Sequence, residues 1–174
     1  MPPKVITKEV VSCISEKDAL VILLTCSFID VTRRLFIQDG YGAFVRRLLA
    51  KSYDVSHCLG INILRDVYKP KTHVKMDSMN NMQYGFVYGL PPKDEIVCHI
   101  GGLQSKHHYS GPVNPEVLKK SIPIFKSWLR KFRKTLGIGN VYILFSRYNE
   151  EIKEVLKTLP STIFVVVQEK GKEL

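Results

Sequence analysis

Short runs rich in β-branched residues alternate along the chain with longer stretches whose apolar positions recur every three or four residues. The first run, Val5–Ile14, reads as a strand ended by the Ser15-Glu16-Lys17-Asp18 turn. Ala19–Thr25 (ALVILLT) is apolar on both sides, the pattern of a strand covered on both faces of a sheet. Within Val31–Ala50, Phe44, Val45, Leu48 and Leu49 give a helical stripe. Tyr53–Asn81 is weakly patterned and reads as a helix fragment followed by a surface loop. Met82–Tyr88 and Glu95–Ile100 read as two strands across a Leu90-Pro91-Pro92-Lys93-Asp94 turn.

The last third is the clearest. Asn114 has the chemistry of an N-cap, with Pro115 and Glu116 opening a helix behind it. Leu118, Ile122, Phe125, Trp128 or Leu129, Phe132 and Leu136 then share one face, and Gly137 and Gly139 stop the helix. Pro123 within it predicts a bend. Val141–Phe145 reads as a buried strand. Asn149 caps a helix that Ile152, Val155, Leu156 and Leu159 turn inward, and Ile163–Val167 is a last strand. Such short connections between strand and helix call for right-handed crossovers and a largely parallel sheet. The expected class is α/β: a three-layer α/β/α sandwich with a mostly parallel or mixed sheet, one domain over residues 1–174.

Composition narrows this picture little. Of 174 residues, 45% are apolar and 24% charged, which suits one hydrophobic core and excludes disorder, collagen and coiled coil for the whole. The apolar run Ala19–Cys26 is far short of the roughly 20 residues that span a bilayer. Cys13, Cys26, Cys58 and Cys98 form no C-x-x-C pair, so reduced thiols are expected rather than disulfides. The expectation is a soluble cytoplasmic or nuclear domain with no membrane partner. Charge adds more. A net +10 favours anionic partners: RNA, DNA, nucleotide phosphates or an acidic protein.

Candidate chemistry begins at Gln38-Asp39-Gly40-Tyr41-Gly42-Ala43. Two glycines one residue apart, directly before a helix, aim backbone N–H groups at an anion. Gly40, Tyr41, Gly42 and Ala43 are therefore the candidate phosphate loop. No third glycine and no Gly-Lys-Ser/Thr follows, so neither the dinucleotide nor the Walker pattern is present. The segment DALVILLTCSFIDVTRRLFIQDGYGAFVRRLL resembles the macrodomains, in which an Asp-Ala-(Ile/Leu)-Val strand, a loop and a Gly-x-Gly helix start hold ADP-ribose. The downstream order of elements is similar to the small macrodomains related to terminal ADP-ribose protein glycohydrolase. Such domains often sit inside larger, frequently viral, proteins.

The resemblance also locates departures. The family's Gly-Asp-(Ile/Leu) after the first strand, whose Asp binds the adenine amine, is replaced by Ser12-Cys13-Ile14 at the end of the expected strand. The catalytic lysine of the related group falls near Gly101-Gly102, with Lys106 a few residues late. The second phosphate loop becomes Ser146-Arg147-Tyr148-Asn149, and Glu150 or Glu151 stands where an acidic partner could be. The resemblance and its departures imply a binding module for an ADP-ribose-like nucleotide without hydrolase activity, and the basic charge adds nucleic acid as the other candidate ligand; no cofactor and no catalytic residue is assigned. The alternatives are an ADP-ribosyl hydrolase with a rearranged site and a protein–protein interaction module.

Four further groups of residues stand out. Gly101, Gly102, Lys106 and Tyr109 belong to a stretch, Gly101–Gly111, that reads as a second ligand-side loop. Cys98, His99, His107 and His108 match no zinc spacing, and no metal is assigned. Lys119, Lys126, Arg130, Arg133 and Lys134 give the long helix a one-signed face, a candidate nucleic-acid or polyanion surface. Arg33, Arg34, Arg46 and Arg47 add a second basic cluster.

Overall fold

The computed structural model describes residues 2–37, 40–50, 53–68, 83–89 and 98–167. Chain order is β1 (Lys4–Thr7), α1 (Val10–Ile14), β2 (Leu20–Thr25), α2 (Gly40–Leu49) and α3 (Val55–Asn62), which a π-helical turn (Ile63–Tyr68) extends. Then come β3 (Phe86–Tyr88), β4 (His99–Gln104), α4 (Pro115–Leu136), β5 (Val141–Phe145), α5 (Glu150–Leu156) and β6 (Ile163–Val167). The strands form one six-stranded sheet in the order β1-β6-β5-β2-β4-β3. All neighbours are parallel except β3 and β4, which are antiparallel. The α/β class read from the sequence is the observed one.

Period-2 alternation splits the core into two halves. Val21, Leu23, Ile100, Tyr142, Leu144 and Val166 face α1, α2 and α3. Leu20, Ile22, Leu103, Ile143, Phe145 and Val165 face α4 and α5. All six residues of β2 are buried, as a central strand between two helical layers requires. Phe125 of α4 is wholly buried on the second face, and its truncation to Ala would remove about 3–5 kcal/mol. Asn114 accepts from the Glu116 N–H at 3.0 Å, and α4 runs unbroken through Pro123. It ends on Gly137 in the left-handed region (φ 66°), where Ile138 N–H reaches Arg133 O at 2.9 Å.

Three sequence expectations need correction. Val5–Ile14 is not one strand: β1 stops at Thr7 and Val10–Ile14 is helical, with Val10 and Cys13 buried at a spacing of three. Packing on the sheet overrides the β propensity of that run. The fourth strand does not end at Ile100; it continues through Gly101-Gly102 to Gln104, so the first residues of the expected loop are strand. The glycines serve contact there. A Cβ on Gly101 would lie 2.9 Å from the Phe86 ring, and one on Gly102 2.9 Å from Thr25 Cγ2. Within α2, Leu48 is exposed while Tyr41 and Val45 carry the buried stripe. The Leu90–Asp94 turn and most of the loop before Asn81 lie outside the described residues.

Candidate functional site

Parallel strands bring their carboxyl ends to one edge. Thr7, Val167 and Phe145 share one row, and Thr25 lies opposite Gln104. The loops after β1, β2, β4 and β5 therefore emerge together, where open α/β sheets bind ligands.

Beneath this edge lies a buried hydrogen-bonded frame that sequence reasoning missed. Gln104 Oε1 accepts from the N–H groups of Tyr84 (2.8 Å) and Gly85 (3.0 Å), and its Nε2 donates to Ser27 Oγ at 2.6 Å. Tyr84 Oη donates to Cys26 O at 2.6 Å and also meets Thr25 Oγ1. Ser27 Oγ reaches His107 Nδ1 at 2.9 Å, while Ser105 N–H binds Thr25 O at 2.9 Å. The isolated polar letters at the ends of apolar strands, Thr25 and Gln104, were the signal for it.

The two glycines of the candidate phosphate loop do not precede a helix, as expected from the sequence, but form the first turn of α2 itself. Gly40 opens α2 at a positive φ (26°), and a Cβ on it would collide with Cβ and Oγ of Ser146. The start of α2 is thus seated directly on the loop after β5. Gly40 is exposed, whereas Tyr41, Gly42 and Ala43 are buried. A Cβ on Gly42 would come within 2.7 Å of buried Ile37, so a bulky side chain there would disturb packing. Beside Ser146, a cleft of about 110 Å³ is lined by Leu24, Pro112, Arg147, Asn149 and Glu151, among others. Asn149 caps α5 by accepting from Ile152 N–H at 2.9 Å, and exposed Glu150 and Glu151 stand in its first turn.

The end of β1 corrects another expectation. The residues after the first strand are Lys8-Glu9-Val10, not Ser12-Cys13-Ile14, because the strand stops at Thr7. An acidic group, Glu9, therefore occupies that turn. It precedes α1 in extended conformation (φ −66°, ψ 136°) and its carboxylate makes no cap. Lys8 turns away to a cluster with Glu16 (2.9 Å) and Tyr142 Oη (3.0 Å). Burial raises the Glu16 carboxyl, but hydrogen bonds from Tyr142, Lys8 and Asn140 outweigh it and hold the group below its ordinary range.

The four residues of the expected second loop divide. Gly101 and Gly102 are buried inside β4 and reach no loop. Lys106 lies just past the strand end, 6% exposed, with Nζ donating to Gly111 O at 2.9 Å. Tyr109 joins a half-buried aromatic group, its ring centroid 5.1 Å from Phe36 and 5.5 Å from Phe28, with exposed His108 stacked on it at 4.3 Å. Each of the three histidines His99, His107 and His108 has its own partner: Tyr88 for His99, Ser27 for His107 and Ser110 for His108. All four cysteines are free thiols. Among the described residues no three His, Cys, Asp or Glu side chains gather, and no helix is long and apolar enough to cross a membrane.

The basic residues lie elsewhere. Lys126, Arg130, Arg133 and Lys134 line one wall of an open groove at the opposite end of the sheet, joined there by Lys157. Lys119 is exposed near the start of α4, away from that groove. In the second cluster, Arg34 is paired with Asp54 at 2.9 Å.

No family model and no curated protein matches this chain. Its structure is similar to the macrodomain of Thermus aquaticus DarG, with TM-score 0.54 and 12% identity over 95% of this chain and 97% of that one. The fold is a macrodomain fold.

Proposed function

We propose that this chain is a binding module that takes an ADP-ribose-like nucleotide at the carboxyl edge of the sheet and leaves it intact. The observation that carries the reading is the seating of Gly40 on Ser146, which joins the loops after two adjacent strands over their ends. The first N–H groups of α2 have no partner within the helix, and the helix dipole adds partial positive charge to them. Arg147 supplies a full charge on the facing loop. A diphosphate laid over this junction, where the start of α2 meets the loop after β5, would be reached by both. Glu9 supplies, at the turn after β1, the acceptor that the macrodomain resemblance assigns to the adenine amine.

Absence of turnover is supported by the placement of the residues that could have acted. By the resemblance, the catalytic lysine of the related group falls near Gly101 and Gly102, which are buried strand residues here. The Lys106 ammonium is engaged with a carbonyl inside its own loop. Glu150 and Glu151 stand where a helix dipole favours acids, which accounts for them without catalysis. Calorimetric titration with ADP-ribose tests the proposal. Arg147→Ala and Glu9→Gln should each weaken binding at least about fivefold in folded protein, a loss of one charge-assisted hydrogen bond. The parent should release no ADP-ribose from a modified carrier. Binding unchanged by both substitutions, or clear turnover, would sink the reading.

A further inference from the structure

The groove at the amino end of the sheet is unrelated to the nucleotide edge. It has a volume of about 850 Å³ and lies between the last turns of α4, the 137–139 turn and the 157–160 segment. Five cations from two elements converge on it, Lys126, Arg130, Arg133, Lys134 and Lys157, with Asp18 as the one acid in its lining. The helix dipole accounts for Arg133 and Lys134, which stand in the last turn of α4. It does not account for Arg130 and Lys126, one and two turns earlier, or for Lys157 on another segment.

Two of the five are held by backbone carbonyls, and Lys157 Nζ pairs with exposed Glu154 Oε1 at 2.9 Å. Arg133 Nη2 donates to Gly139 O at 2.7 Å, and Lys126 Nζ donates to Thr158 O at 3.0 Å. Each keeps further N–H donors for a ligand. Arg130, Lys134 and Lys157 are exposed. Lys126 and Arg133, seven residues apart, stand about 10 Å apart along the helix axis. That length matches about three nucleotides of a duplex strand at roughly 3.4 Å each. A single phosphate would engage only part of such a row; a phosphate backbone would engage all of it.

We propose that this groove binds the phosphate backbone of a nucleic acid, without reading its sequence, as a second site independent of the nucleotide edge. The test uses the full chain and a fluorescein-labelled mixed-sequence DNA duplex, titrated by anisotropy at several salt concentrations. Arg130→Gln, Lys134→Gln and Lys157→Gln are combined, because none of these three holds a backbone carbonyl in place. The triple variant should lose at least tenfold affinity at low salt. Its log affinity against log salt should flatten by roughly two to three units, about 0.9 for each lost phosphate contact.

A Lys119→Gln, Lys120→Gln double variant, changed on the same helix outside the groove, should lose less than about threefold. In the amide spectrum, the duplex should shift Gly137 and Gly139 and leave Gly40 and Gly42 in place. ADP-ribose titration of the triple variant should match the parent, which separates this proposal from the preceding one. An unchanged slope, or a double variant as impaired as the triple, would overturn the site. Competition by polyglutamate equal to that by unlabelled duplex, at the same charge concentration, would overturn it in favour of an acidic protein.

Discussion

The two ends of the sheet hold their polar side chains in opposite circumstances. At the carboxyl end, Thr25, Ser27, Gln104, Ser105 and Lys106 are all buried and bonded within the protein. At the amino end, Arg130, Lys134 and Lys157 stand exposed around an open groove. Lys106 and Lys134 are one letter in the sequence and two roles in the fold. A buried lysine is retained only where its donors are met, so its chemistry is consumed by the frame. An exposed one keeps its charge for whatever arrives. Depth, more than residue type, separates scaffold from open surface here.

The frame is where the sharpest break is expected. Gln104→Ala would strip the acceptor from the Tyr84 and Gly85 N–H groups and a donor from Ser27, all of them buried. Each stranded buried group costs about 1–3 kcal/mol, so the loss should be about 3 kcal/mol or more. For a chain of this size, that is a fall of roughly 6–12 °C in Tm. Urea and thermal unfolding measure it directly. A loss under about 1 kcal/mol would show that the frame carries little and that depth is the wrong criterion.

An intermediate effect belongs to the Lys8, Glu16, Asn140 and Tyr142 cluster, whose Lys8–Glu16 pair is about one-third exposed. Glu16 is held below its ordinary 4.5, so the folded state keeps it ionised where the unfolded chain begins to take up protons. Its contribution is therefore complete above that value and is lost as pH falls through it toward the folded one. Glu16→Gln should lower stability by about 1–2 kcal/mol at pH 7, through weakened hydrogen bonds. The difference from the parent should then shrink steadily below about pH 4.5. Stability curves of both proteins that stay parallel down to pH 3 would contradict this.

How much of the two ends was legible beforehand follows from the same distinction. Helical periodicity and capping chemistry located α4 and α5, and β5 and β6 were read to the residue, because each is decided by local pattern. The class of the sheet followed from their alternation. The first strand misled because Val10 and Val11 favour strand in isolation, while contact with the sheet decides for a helix. That error hid Glu9 at the strand end. The Gly101-Gly102 pair read as a loop because glycine commonly marks one. Its reason, the approach of Phe86 and Thr25, is a contact across the sheet that no local pattern carries. Likewise the α4 cations were visible as a stripe. Lys157 was not placed with them, since its proximity depends on how α5 returns to the sheet.

The smallest expected effect examines the exposed end alone. Lys157 Nζ meets Glu154 Oε1 at 2.9 Å, three residues apart, with the two side chains 61% and 71% exposed. Such pairs contribute little, because water screens the attraction and two long side chains lose freedom to make it. Glu154→Gln should therefore change stability by less than about 0.5 kcal/mol. Its consequence for the groove has a definite sign. Removing the carboxylate leaves Lys157 without a competing anion and raises the net charge beside the groove by one. Duplex affinity should rise about twofold at low salt and return to the parent value once the Debye length falls to about 3 Å, near 1 M salt. The same substitution should do nothing in the Lys157→Gln background, since the pair no longer exists there. A gain that persists in that background would mean Glu154 acts through the general field of the protein and not through Lys157. A stability loss above 1 kcal/mol would place this exposed pair with the buried frame, against the contrast drawn between the two ends.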